Sequence, residues 1–250
     1  MLRSKAQSLV QIMWCMGEVS PDWGDLTVSD WMWLSSTEKE MLIGMRFPKR
    51  RREWLSGRWT AKQLLLRCSP RLAGKPLTEI SIENHINGNP VVFVEGQILP
   101  GCISLSHREN QAAAAYLTNE DVFVGIDLEW IEERHPAFLQ DYFTEKEIEW
   151  VTAAPNREQP LRTTLIWSAK EAALKSLRVG LAVNTRTVEV HPLEDEFPQG
   201  WRKLNFHSNL PEEGYQLHGW WQKRENFIIT IVVNMPASHK PVFDIKEIHW

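Results

Sequence analysis

Four segments of this chain put polar side chains where they could act on a charged ligand. In Val122-Phe123-Val124-Gly125-Ile126-Asp127-Leu128-Glu129-Trp130 an apolar strand ends in two carboxylates. Side chains alternate along a strand, so Asp127 and Glu129 project to one side, about 7 Å apart. That pair suits a hard divalent cation such as Mg²⁺, and equally suits plain solvation at a strand exit. Further on, Trp167, Glu171 and Lys175 recur every four residues and share one helix face. Glu171 and Lys175 read either as a surface ion pair, or as a third oxygen ligand or general base beside a lysine that neutralises a phosphate or leaving group. Gly101-Cys102-Ile103-Ser104-Leu105-Ser106-His107-Arg108 is a strand delivering Ser106, His107 and Arg108 to its exit. Hydroxyl, imidazole and guanidinium there would bind a phosphate oxygen, or serve an ordinary turn. Lys49-Arg50-Arg51-Arg52 opens a helix that continues through Arg58, Lys62 and Arg67. Cations at a helix start oppose its dipole, so the run is either solvated or neutralised by an anionic partner; Arg51, Arg58 and Lys62 share roughly one face. A serine-hydrolase elbow, a P-loop, a Gly-rich dinucleotide fingerprint and Cys/His ligand spacing are all missing.

The elements that must position these groups follow from periodicity. Period-two or β-branched apolar runs predict strands near 9–16, 79–83, 90–94, 102–106, 111–117, 122–129, 185–190, 201–206, 215–221 and 227–233. Helical patterns cover about 36–46, 50–67, 136–142, 144–153 and 158–177, which makes the fold class α+β. Asn87-Gly88-Asn89-Pro90 and Pro211-Glu212-Glu213-Gly214 read as turns. The chain also echoes itself. Thr37-Glu38-Lys39-Glu40 recurs as Thr144-Glu145-Lys146-Glu147, and Trp59-Thr60-Ala61-Lys62-Gln63 as Trp167-Ser168-Ala169-Lys170-Glu171. The blocks start 22 residues apart in the first copy and 23 in the second. The expected organisation is two similar α/β halves, 1–118 (basic) and 119–250 (acidic set), forming a pseudo-dimer with a ligand cleft between them. Glu171 and Lys175 align with Gln63 and Arg67, so only the second half keeps the carboxylate set.

Composition narrows the class of partner. The 250 residues are 43% hydrophobic and 24% charged, the proportions of a folded chain. Twenty-eight basic against 32 acidic side chains leave a charge of −4, which opposes general nucleic-acid binding. Three scattered cysteines form neither a disulfide framework nor a zinc cluster and point to a reducing, cytoplasmic setting. No apolar run approaches the roughly 20 residues of a membrane span. Arg3 and Lys5 ahead of Leu9-Val10-Gln11-Ile12-Met13 imitate a signal peptide, but the apolar stretch is short and lacks a small-residue cleavage site, so it reads as a buried first strand. Most of the 13 tryptophans are expected in the core or at its rim, with Trp220-Trp221 and Trp250 the alternative partner surface.

Taken together, these strings resemble the 4′-phosphopantetheinyl transferase superfamily, in its larger pseudo-dimeric (Sfp-type) branch. Val124-Gly125-Ile126-Asp127-Leu128-Glu129 and Trp167-Ser168-Ala169-Lys170-Glu171-Ala172-Ala173-Leu174-Lys175 look like its two main motifs. Ser104-Leu105-Ser106-His107, Phe143-Thr144-Glu145-Lys146-Glu147 and Arg52-Glu53-Trp54-Leu55-Ser56-Gly57-Arg58 look like its minor ones. The resemblance implies a Mg²⁺-dependent enzyme that moves the phosphopantetheine arm of coenzyme A onto a serine of an apo acyl or peptidyl carrier protein, releasing 3′,5′-ADP. It implies that Asp127, Glu129 and Glu171 hold Mg²⁺, that Glu171 is the general base, and that Lys175 steadies the pyrophosphate. Ser106 and His107 would contact coenzyme A phosphates, with Arg51 and Arg58 at the 3′-phosphate. The acceptor serine comes from the carrier, so a nucleophile within this chain is not expected; nor is a membrane or nucleic-acid partner, and an internally duplicated chain is expected to be a monomer. The alternative is a catalytically lapsed coenzyme A- or carrier-binding module, against which the retained Asp127, Glu129, Glu171 and Lys175 argue. Two departures stand out: Asn89 where many relatives carry lysine, and Arg108 where many carry a small serine.

Overall fold

The computed structural model describes residues 8–18, 23, 31–85, 88–179, 183–208, 210 and 214–250. Arg3, Lys5, Asn87 and the Pro211–Glu213 part of the second turn lie outside them. The chain divides into two compact units, one of Val10–Glu120 with Phe243–Trp250 and the other of Asp121–Val242 with residues up to Leu9.

In the first unit, β1 (Ser8–Glu18) leads to α1 (Ser36–Ile43) and α2 (Pro48–Cys68). Five strands follow: β2 (Ile80–Asn84), β3 (Pro90–Val94), β4 (Gln97–Ile98), β5 (Cys102–Arg108) and β6 (Gln111–Leu117). The second unit repeats the plan. β7 (Phe123–Trp130) leads through α3 (Pro136–Tyr142) to α4 (Glu145–Thr152) and α5 (Gln159–Leu177), then β8 (Val188–Phe197), β9 (Trp201–Ser208), β10 (Tyr215–Arg224) and β11 (Phe227–Pro236). Its five strands form one antiparallel sheet in the order β7-β11-β10-β9-β8. In the first unit the matching strands appear as β1-β6-β5 and β2-β3-β4. Each unit therefore pairs its opening strand with its closing strand, and the two strands after its helices with each other. The last strand, β12 (Pro241–Glu247), lies against β1, so the C-terminal residues join the first unit's sheet and not the 119–250 half that the sequence had led us to expect.

The helices start where local chemistry dictates. Ser35 and Thr144 cap α1 and α4, each with a reciprocal capping box to Glu38 and Glu147. Proline opens the first turns of α2 and α5, where a missing N–H costs nothing. Trp14, Trp31, Trp54, Trp201, Trp220 and Trp221 are buried, and Trp23, Trp33, Trp150 and Trp167 pack partly buried against core clusters, so most tryptophans serve the core or its rim, while Trp250 is about half exposed.

The duplication is deepest at a buried latch. In the first unit, Lys62 Nζ on α2 donates to Glu38 Oε2 at 2.5 Å and to the carbonyls of Trp33 and Leu77; Glu38 Oε1 accepts from the Ile82 amide on β2. In the second, Lys170 Nζ on α5 lies 2.9 Å from Glu147 Oε2 and donates to the carbonyls of Thr185 and Val188; Glu147 Oε1 accepts from the Val190 amide on β8. Both pairs are all but fully buried. Burial pulls both lysines below the usual ammonium range, and the glutamates oppose that pull. Removing one partner of such a pair leaves an uncompensated buried charge, at a cost of about 3–5 kcal/mol. The latch confirms the echo but corrects its register. The caps align Glu38 with Glu147, whereas literal matching of Thr-Glu-Lys-Glu pairs Glu38 with Glu145; only the Lys62–Lys170 match survives as read.

Candidate active site

Within the second unit, helix α5 runs across the face of β7 that carries Gly125, Asp127 and Glu129. Gly125 permits the approach: a Cβ there would sit 1.9 Å from the Ala172 carbonyl oxygen and 2.8 Å from the Ser176 amide. One step along, Ser168 Oγ and Thr230 Oγ1 meet at 2.7 Å, Thr230 being the β11 partner of Asp127. The close crossing brings the polar face of α5 onto the two strand acids.

Lys175 Nζ donates to Asp127 Oδ1 at 2.8 Å and to the Ile126 carbonyl at 3.0 Å. The Trp167 indole donates to Glu129 Oε1 at 3.0 Å, and Arg134 Nη2 to Glu129 Oε2 at 3.1 Å. Asp127 is only 4% exposed. Glu171 keeps one buried oxygen, Oε1, without a hydrogen-bond partner. Its carboxyl is pushed up to about 7, first by burial and then by the Asp127 charge, with Lys175 opposing. Asp127, Glu129, Glu171 and Lys175 are thus brought into one electrostatically linked group. Among the described residues no three acidic, histidine or cysteine side chains form a ready-made metal cage. The donor chemistry nevertheless fits a hard cation: carboxylate oxygens, one of them orphaned, on a carboxyl that burial and the neighbouring Asp127 charge make reluctant to ionise.

The remaining site candidates belong to the first unit. His107 and Arg108, at the end of β5, line a cavity of about 340 Å³ together with Lys49, Arg52 and Glu53 of α2 and the Glu109-Asn110 turn. Ser106 and Arg51 are not in that lining. Arg58 is 7% exposed, lies 4.4 Å from the Trp54 ring centroid and donates to Asn84 Oδ1 at 3.3 Å. Burial pulls its guanidinium down to about 10, and Glu38 opposes this. Helical periodicity placed Arg51 and Arg58 together, and α2 turns Lys49, Arg52 and Glu53 toward His107 instead. Arg134 escaped sequence reasoning because it follows β7 in an irregular segment without a period. Glu53 escaped because a lone acid beside four cations reads as solvated.

The sheet order, the α5–β7 crossing and the clustered acids define a duplicated α+β protein with an anion- or cation-handling site on its second unit. Residues 123–232, which contain that site, match the family model of the 4′-phosphopantetheinyl transferase superfamily. The chain is 27% identical over 154 residues to the 4′-phosphopantetheinyl transferase HetI of Nostoc sp., covering 60% of this chain and 61% of that protein. It is 29% identical over 120 residues to the 4′-phosphopantetheinyl transferase psf-1 of Bacillus pumilus, covering 48% and 49%. The matched part of the chain therefore spans about half to three fifths of the length of these relatives. The crystal structure of Thermotoga maritima holo-[acyl-carrier-protein] synthase overlaps 45% of this chain and 62% of its own, at 22% identity and a TM-score of 0.35; so partial an overlap adds nothing to the fold described above.

Proposed function

We propose that the protein is a Mg²⁺-dependent 4′-phosphopantetheinyl transferase of the duplicated type, acting on coenzyme A and an apo carrier protein. The observation that carries this reading is the Glu171 carboxyl. It is poised near neutrality, has an orphaned buried oxygen, and is coupled to Asp127, Glu129 and Lys175 on an element that Gly125 holds close.

In this reading Asp127, Glu129 and Glu171 would hold Mg²⁺, whose charge neutralises the pyrophosphate and the leaving phosphate. The serine hydroxyl of the carrier attacks the phosphorus bearing the pantetheine arm. A new P–O bond forms, the bond to the bridging pyrophosphate oxygen breaks, and 3′,5′-ADP departs with that electron pair. Glu171 would take the serine proton, directly or through a water. Lys175 holds Asp127 in place and supplies positive charge beside the developing phosphate anion. Trp167 and Arg134 fix both oxygens of Glu129. The basic cavity of the first unit, with Lys49, Arg52, His107 and Arg108, supplies the chemistry for a nucleotide phosphate, and Arg51 and Arg58 remain assigned to the same end of coenzyme A. The free cysteines accord with a cytoplasmic enzyme, and among the described residues no helix is long and apolar enough to cross a membrane. As an internally duplicated chain it is proposed to act as a monomer.

The test is mass spectrometry of apo carrier proteins incubated with coenzyme A, Mg²⁺ and the protein. Wild type should add one phosphopantetheine per carrier, and Glu171→Gln and Asp127→Asn should not. Binding of coenzyme A by wild type without any mass gain across fatty-acid, polyketide and peptide carriers would establish the lapsed binding module instead.

A further inference from the structure

The cavity of the first unit contains an acid that a phosphate site should not need. Glu53 sits on α2 one turn after Lys49, with Oε1 3.9 Å from Lys49 Nζ and Oε2 3.9 Å from His107 Nε2. Both separations exceed a hydrogen bond, so the carboxylate lies between the Lys49 ammonium and the His107 imidazole without binding either tightly. Its side chain is 28% exposed. Lys49, Arg52 and Arg108 line the cavity together with Glu53 and Glu109, and Arg108 Nε stands 3.9 Å from Glu109 Oε1. The carboxylates thus cancel most of the permanent positive charge.

Resting on the transferase reading above, we propose that Glu53 is an exchangeable counter-anion. It occupies Lys49 and His107 while the cavity is empty, yields them to a phosphate of the nucleotide, and reclaims them as the phosphorylated product leaves. A cavity with the same cations and no such acid would hold the product longer. The loose 3.9 Å contacts are what exchange requires, because a bidentate pair at hydrogen-bond distance would resist displacement. In a near-aqueous dielectric with physiological salt, a carboxylate roughly 5 Å from a phosphate dianion weakens its binding by about five- to tenfold.

The experiment is calorimetric titration of the full-length protein with 3′,5′-ADP and with inorganic phosphate, for wild type, Glu53→Gln and Glu53→Asp. Glu53→Gln should bind both probes about five- to tenfold more tightly, with the gap shrinking as salt rises. Glu53→Asp, which keeps the charge, should bind like wild type. In steady state Glu53→Gln should lower KM for coenzyme A and strengthen inhibition by 3′,5′-ADP by the same factor. Equal or weaker binding by Glu53→Gln overturns the proposal, since a residue that merely props Lys49 and His107 would lose affinity when neutralised. Absence of phosphate binding by all three proteins overturns it as well. If the Gln variant gains affinity but wild type transfers nothing to any carrier, the exchange stands and the transferase assignment falls.

Discussion

Replacing Gly125 with alanine tests whether the close crossing of α5 and β7 assembles the site. The added Cβ would lie 1.9 Å from the Ala172 carbonyl oxygen. Ordinary contact begins near 3.4 Å, so helix and strand must part by about 1.5 Å, and both contacting atoms belong to rigid backbone. Overpacking of this kind costs typically about 1–3 kcal/mol, or a fall in melting temperature of roughly 2–12 °C for a chain of this size. The same displacement stretches the Lys175–Asp127 and Trp167–Glu129 contacts, now 2.8 and 3.0 Å, beyond hydrogen-bond range. A misplacement of about 1 Å commonly costs 10²-fold in rate. Thermal melting and carrier mass spectrometry measure the two losses side by side. Gly57→Ala is the control: Gly57 lies inside α2 with open space where its Cβ would be, so alanine there should stabilise by about 0.5–1 kcal/mol. A Gly125→Ala protein that melts and transfers like wild type would refute the packing argument outright.

Two further outcomes follow from the buried charges. Glu147→Gln should destabilise by about 3–5 kcal/mol in denaturant unfolding, and pairing it with Lys170→Met should recover much of the loss, because the second change removes the stranded charge. Glu171 has a folded value of about 7 against an ordinary 4.5, so its contribution to stability is full below about 4.5 and is lost as pH rises through about 7. In the absence of divalent cations, Glu171→Gln should therefore be the more stable protein at pH 8 and close to wild type at pH 4.5; added Mg²⁺ should stabilise wild type at pH 8 and leave the variant unmoved.

Much of this was legible in the residues. Periodicity gave nearly every long element because its apolar faces are clean, as in β7 and β11. The short β4 was missed for lack of residues, and β12 because its mixed Pro241–Glu247 string pairs only through a partner more than 200 positions away. The acidic set was readable because strand alternation and helix spacing bring Asp127, Glu129 and Glu171 to facing sides. Lys175 was read as a neighbour of Glu171, yet its long stem reaches Asp127 across the interface with β7, a choice that depends on how close the helix lies. The side-chain directions on α2 were less legible: the helix brings Lys49 and Arg52 to the cavity that His107 lines and buries Arg58 against Trp54. The echo was read two residues out of register because matching letters cannot distinguish a capping threonine from one inside the helix.

The twin latches have a practical consequence. Lys170 and Glu171 are consecutive, about 100° apart around α5, so the anchor that clamps the helix to β8 also sets the rotational phase at which the Glu171 carboxyl meets β7. Damage there will blur folding with chemistry in any mutational survey. The twin in the first unit carries Gln63 after Lys62 and supports no acid, which makes it a reference copy inside the same polypeptide: whatever a change at Lys170 does beyond its counterpart at Lys62 measures how far reactivity depends on helix phase.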